Sequence, residues 1–144
     1  ILQGSVIDAE LCRFQGTVNV IGGDITTDYF IILTGGLLNL AGSQFRGDLT
    51  LNSGADANLF VTDLSIDGVR IDLVPGLTQL LTQRTGLLEA TLADGTSFSR
   101  QLNGELYPRL TLEPGATLSA TLVPSPSSLV LLTAAGLLSA RRRR

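Results

Sequence analysis

The sequence predicts an all-β fold: a short parallel β-solenoid with rungs of about 20 residues, capped by an antiparallel β meander and followed by a C-terminal hydrophobic helix. Three observations lead there. A unit marked by glycine and asparagine repeats within residues 1–60. Alternating apolar runs punctuated by Asp-Gly, Asn-Gly and Pro-Gly fill residues 61–123. An uncharged apolar stretch then closes the chain just before four arginines.

The repeat is seen by laying Gly16-Thr17-Val18-Asn19-Val20-Ile21-Gly22-Gly23 over Gly36-Leu37-Leu38-Asn39-Leu40-Ala41-Gly42-Ser43, with a worn copy at Gly54–Phe60 and half-unit echoes at Phe14–Val20 and Phe45–Leu51. Period-two alternation sends Val18 and Val20 inward and Thr17 and Asn19 outward. Glycines at the unit ends supply the positive φ of a sharp corner. Stacked rungs would bring Asn19 and Asn39 together as a ladder; an antiparallel sheet of similar hairpins is the alternative reading. One rung cannot bury its inner face alone and about three are needed for stability. Further rungs upstream of Ile1 are therefore expected, in keeping with a start that lacks Met.

After residue 60 the pattern loosens. Val61–Val74 alternates with a turn at Asp67-Gly68, and Pro75-Gly76 turns again. Leu77–Arg84 fits either a helical turn or a strand. Leu87–Leu92 and Phe98–Leu102 flank Asp94-Gly95, Leu106–Leu112 follows Asn103-Gly104, and Ala116–Val123 follows Pro114-Gly115. Such dipeptides between alternating runs signal hairpins. Residues 61–123 are thus expected to cap the rungs, since an open end leaves unpaired backbone groups. Three regions result: repeats at 1–60, a cap region at 61–123 and a tail at 124–144.

Composition narrows the chemistry. The chain has no His, Lys, Met or Trp; all ten basic residues are arginine, four of them terminal, against thirteen acids. The body is therefore more acidic than the net charge of −3 suggests, which disfavours a nucleic-acid partner. Without histidine the commonest general base and transition-metal ligand is missing. Cys12, the only cysteine, has no histidine to activate it and no partner for an intrachain bridge. No cofactor and no metal site are expected, and the reading is non-enzymatic.

The tail begins with Val123-Pro124-Ser125-Pro126-Ser127-Ser128, where the prolines break strand pairing. Leu129–Ala140 follows, carrying Leu129, Val130, Leu131, Leu132, Leu137 and Leu138, and then Arg141, Arg142, Arg143 and Arg144. The apolar part is shorter than the roughly 20 residues that cross a bilayer as a straight helix. It suits a thinly anchored segment whose arginines snorkel and stay on the cytoplasmic side. A buried core helix is disfavoured because four adjacent charges would have to leave the core at once.

In this order of parts the last residues resemble the PEP-CTERM sorting signal. Pro124 and Pro126 match the two prolines of that family's Pro-Glu-Pro signature, with Ser125 in place of glutamate. Leu129–Ala140 match its hydrophobic segment and Arg141–Arg144 its basic stop. The repeats resemble those of planctomycete-type PEP-CTERM proteins. The resemblance implies export across the inner membrane, processing by an exosortase-type membrane enzyme, and delivery to the cell surface or extracellular matrix, with extracellular polysaccharide as a companion.

Other motifs have plainer readings. Asp8 with Glu10, Asp24 with Asp28, and Asp63 with Asp67 are paired carboxylates, but glycoside hydrolysis needs one acid held protonated by burial. Arg13 and Arg46 are weak candidates for contacting an acidic sugar. Gly22-Gly23-Asp24-Ile25 brushes a β-roll calcium repeat but occurs once. Arg46-Gly47-Asp48 spells an integrin-recognition tripeptide, although Gly47 aligns with the corner glycine Gly16. Three functions stay open: a structural or interaction protein of the envelope, a carbohydrate-binding module using a face of Thr, Asn and Asp, and a polysaccharide-degrading β-helix enzyme.

Overall fold

The computed structural model describes residues 2–124. Ten strands carry the fold: β1 (Ser5–Phe14), β2 (Thr17–Ile32), β3 (Leu37–Leu51), β4 (Asp56–Ile66), β5 (Val69–Arg70), β6 (Thr78–Leu80), β7 (Gly86–Leu92), β8 (Ser97–Leu102), β9 (Arg109–Leu112) and β10 (Thr117–Leu122). They form one mixed sheet, in the order β1-β2-β3-β9-β8-β7-β4-β10-β6, with β5 on β4 and an added β3–β4 pairing.

The parallel part is built by the repeat. β1 lies on β2, β2 on β3, and the start of β3 on β4, with Asn19 opposite Asn39 and Asn39 opposite Asn58. Alternation buries one face: Val20, Leu38, Leu40, Ala57 and Leu59 are inside while the asparagines between them face out. Close approach at the bends requires glycine. Gly47 has φ +116, and a Cβ there would lie 1.7 Å from the Thr27 carbonyl oxygen.

Strand divergence explains the rest. β4 leaves β3 after Leu59 and pairs antiparallel with β7 from Val61. The far end of β3, Leu49–Leu51, takes β9 as a parallel partner instead. β7, β8 and β9 fill the interval between them, and the core runs continuously through it. Four phenylalanines step across that core: Phe14–Phe30 at 4.9 Å between centroids, Phe30–Phe45 at 5.1 Å and Phe45–Phe98 at 6.3 Å. Each fully buried ring contributes roughly 2–3 kcal/mol of transfer free energy.

The expected solenoid with an antiparallel cap and a C-terminal helix is corrected. The described residues are all-β, but their strands form a single mixed sheet, and residues 61–123 are woven into it. β9 and β10 run parallel to β3 and β4, with Leu110 opposite Leu49 and Thr117 opposite Asp56. Asn103-Gly104 is not a hairpin turn, because β8 and β9 are parallel neighbours. Its Asn103 (φ +45) bridges separate segments: Oδ1 accepts from the Leu112 amide at 2.7 Å and Nδ2 donates to the Arg84 carbonyl at 3.1 Å. Turn dipeptides specify where a chain reverses locally; they carry no information about which distant strand receives the next run. No helix occurs among the described residues, and the helix expected in the tail lies outside them.

Candidate binding face

The outer face of β2, β3, β4, β10 and β6 carries a polar row, since alternation that buries Val18, Val20, Leu38 and Leu40 must expose the residues between them. Asn19, Asn39, Asn58 and Ser119 occupy successive strands in register, and the exposed Leu80 of β6 ends the row with an apolar side chain. Asn39 Nδ2 donates to Asn19 Oδ1 at 2.8 Å, so the ladder expected from the repeat spacing is made. Thr121 Oγ1 donates to Asn58 Oδ1 at 3.2 Å and shares a 2.7 Å hydrogen bond with Thr78 Oγ1. On one side of the row the Thr117 hydroxyl donates to the Asp56 carboxylate. On the other, Ile21, Ala41 and Phe60 join Asn19 and Asn39 in a shallow, mainly apolar depression of about 250 Å³. Amides offer donors and acceptors together, and Phe60 beside them offers an apolar strip. That combination suits a ligand with hydroxyls on its edge and C–H bonds on its face.

A second depression, about 240 Å³, lies over β4, β7 and β8 and is lined by Asp63, Ser65, Glu89, Thr91, Ser97 and Ser99. Both its carboxylates are exposed, and Asp63 meets Arg70 at 3.3 Å. The sequence paired Asp63 with Asp67, but the structure separates them. Asp67 (φ +52) sits in the turn before β5, where its Oδ1 accepts from the Leu87 amide at 2.8 Å. Asp8 with Glu10 on β1, and Asp24 with Asp28 on β2, are exposed, as are Arg13 and Arg46. Among the described residues no cluster of three or more His, Cys, Asp or Glu is arranged to hold a metal ion. Cys12 is half-buried against the core.

Arg46-Gly47-Asp48 is not displayed as a tripeptide. Asp48 is buried at 5 % exposure. Its Oδ1 accepts from the Arg109 amide and its Oδ2 from Arg109 Nε, both at 2.8 Å, with a further bond from the second guanidinium nitrogen. The bond and charge of Asp48 hold the Arg109 guanidinium above its usual pKa. This clamp ties β3 to β9. Arg100 was likewise unmarked in the sequence: it is buried between the rings of Phe45 and Phe98, 5.2 and 4.6 Å from their centroids. Its guanidinium donates to the Phe45 and Ser99 carbonyls, each at 2.7 Å. Burial pulls its pKa down to about 10, so it stays charged at neutral pH. The only signal was its place in the alternation of β8, between inward Phe98 and Leu102.

Of the tail, Pro124 is exposed and directly follows Val123, whose amide donates to the Val61 carbonyl at 2.8 Å. Ser125, Pro126, the apolar segment Leu129–Ala140 and Arg141–Arg144 lie outside the described residues. No protein-family model, curated protein or solved structure matches the chain.

Proposed function

We propose that this chain is a non-catalytic protein of the bacterial envelope or extracellular matrix, exported and then processed through its C-terminal sorting signal. One observation carries the reading: the order Pro124-Ser125-Pro126, an uncharged apolar run and four arginines, which follows in sequence directly after Val123, whose amide is hydrogen-bonded to Val61. Leu129–Ala140 would enter the inner membrane while Arg141–Arg144 remain on its cytoplasmic side. As a helix this run reaches only about 18 Å, short of a hydrocarbon core of about 30 Å. It is thus a transient hold rather than a lasting anchor, which suits removal by an exosortase-type enzyme. The acidic body, with its asparagine row, would face outward, where extracellular polysaccharide is the companion.

A second reading, a carbohydrate-binding module, is favoured by the Asn19–Asn39 ladder beside Phe60. Retention on immobilised neutral polysaccharides separates it from a purely structural role. The sorting reading is tested by intact mass of the surface-exposed protein from hosts with and without the processing enzyme. The expected result is loss of the residues after Pro124–Ser128 only where the enzyme is present; Arg144 retained in the surface pool overturns it.

A further inference from the structure

A second register row crosses β2, β3, β9, β8 and β7 on the outer face, toward the ends of β2 and β3. Tyr29 stands opposite Asp48, Arg109 opposite Gln101, and Gln101 opposite Leu87; the Leu49–Leu110 pair brings Asp48 beside Arg109. Each of the five directly precedes a buried residue: Phe30, Leu49, Leu110, Leu102 and Leu88. Alternation therefore turns Tyr29, Asp48, Arg109, Gln101 and Leu87 outward together. At a strand spacing of about 4.8 Å the row is roughly 19 Å long. Asp48 forms its floor, bonded to Nε and one terminal nitrogen of Arg109. The Arg109 side chain keeps 39 % exposure, and its other terminal nitrogen has no hydrogen bond among the described residues. Arg46 lies two residues before Asp48, exposed and in no ion pair among the described residues. Both tyrosines of the chain adjoin the row. Tyr29 is 50 % exposed and Tyr107 67 %. Tyr107 overhangs the far end, where it lines a depression of about 200 Å³ with Leu87, Ser99, Gln101, Leu106 and Pro108.

We propose that this row binds a uronate-bearing polysaccharide lying across the strands. The inference rests on the polysaccharide companion proposed above, and gives it a chemical class and a place. Exposed tyrosine rings suit the C–H faces of sugars. Gln101 and Ser99 offer donors and acceptors to hydroxyls on the sugar edge. Arg109 and Arg46 supply the charge, since a planar guanidinium meets a carboxylate with strong, directional hydrogen bonds. The acidic body repels a polyanion elsewhere, so the attraction is confined to this row. Asp28 and Glu105, exposed beside Tyr29 and Leu106 in the sequence, oppose a densely charged chain. They favour uronates separated by neutral sugars over a sulfated polymer. The depression at Asn19 and Asn39 differs in kind: it is lined by amides and apolar side chains, which suit an uncharged ligand.

The test is isothermal titration of the full 144-residue chain with a hyaluronan hexasaccharide, in which uronate alternates with a neutral sugar, and with its methyl ester. Circular dichroism confirms that each variant folds. The acid form should bind about tenfold more tightly than the ester. Arg46→Gln should weaken binding of the acid about tenfold, and Tyr107→Ala about three- to tenfold. Tyr107→Phe, which keeps the ring, and Asn39→Ala, in the other row, should leave it unchanged. No binding of the hexasaccharide, equal binding of acid and ester, or full binding by Tyr107→Ala each overturns the proposal. So does dextran sulfate bound as tightly as the hexasaccharide, which would be ion exchange alone, or a loss in Asn39→Ala equal to that in Arg46→Gln. Binding by the purified chain needs no export or processing, so its failure leaves the sorting reading to be judged by the mass of the surface-exposed protein.

Discussion

β1 and β3 flank the same strand, and both alternate apolar with polar residues, yet they end up in different environments. On β3, Leu38, Leu40, Leu49 and Leu51 have no exposure at all. On β1, Ile7, Cys12 and Phe14 remain half-buried. The difference lies in neighbours, not in pattern: β3 is covered by β4 at its start and β9 at its end, whereas β1 has nothing beyond it among the described residues. Alternation decides which face turns inward, and pairing decides whether that face is sealed.

Substitutions can break or sharpen this contrast. Leu49→Ala leaves a cavity beneath β9 and should cost about 3–4 kcal/mol in chemical denaturation. Asp48→Ala removes three hydrogen bonds from Arg109 and uncouples β3 from β9; it should lower stability in chemical denaturation by less than Leu49→Ala, because the Arg109 side chain left behind is 39 % exposed and stays hydrated. Phe14→Ala, at the open end of the phenylalanine series, should cost only about 1 kcal/mol, since its ring is partly in water already. Asp63→Asn removes an ion pair whose side chains are 59 % and 74 % exposed, and should change stability by less than about 0.5 kcal/mol. Equal losses at Leu49 and Phe14 would mean that β1 is as well covered as β3, in which case its edge is not open.

The same contrast explains what could be read in the sequence. The strands around Val18–Val20, Leu38–Leu40 and Leu87–Leu102 with their inward and outward sets, the Asp67-Gly68 turn and the Asn19–Asn39 contact follow from period-two alternation and a repeat of about 20 residues; the strand expected from Leu106 begins only at Arg109. The partners of β9 and β10 did not, because Thr117 meets Asp56 and Leu110 meets Leu49 across long intervening segments that share no repeat with them. Asp48 looked like part of a surface tripeptide, since burial of an acid depends on an arginine 61 residues away. Arg100 carries no mark in the sequence, because a cation between two rings leaves no trace in spacing. On the binding face the asparagine row was visible, while the depression beside it needed Phe60 and Ile21 from strands two apart.

Among the described residues the sheet closes with Val123, and the proposed sorting signal is residues 124–144. The most direct test expresses the chain with and without those residues in a host that carries the sorting enzyme, and compares thermal unfolding and cell fractions. The expected result is the same cooperative unfolding for both forms and loss of the truncated form from the envelope and surface fractions. An equal distribution of the two forms, or a truncated body that fails to fold, would contradict it.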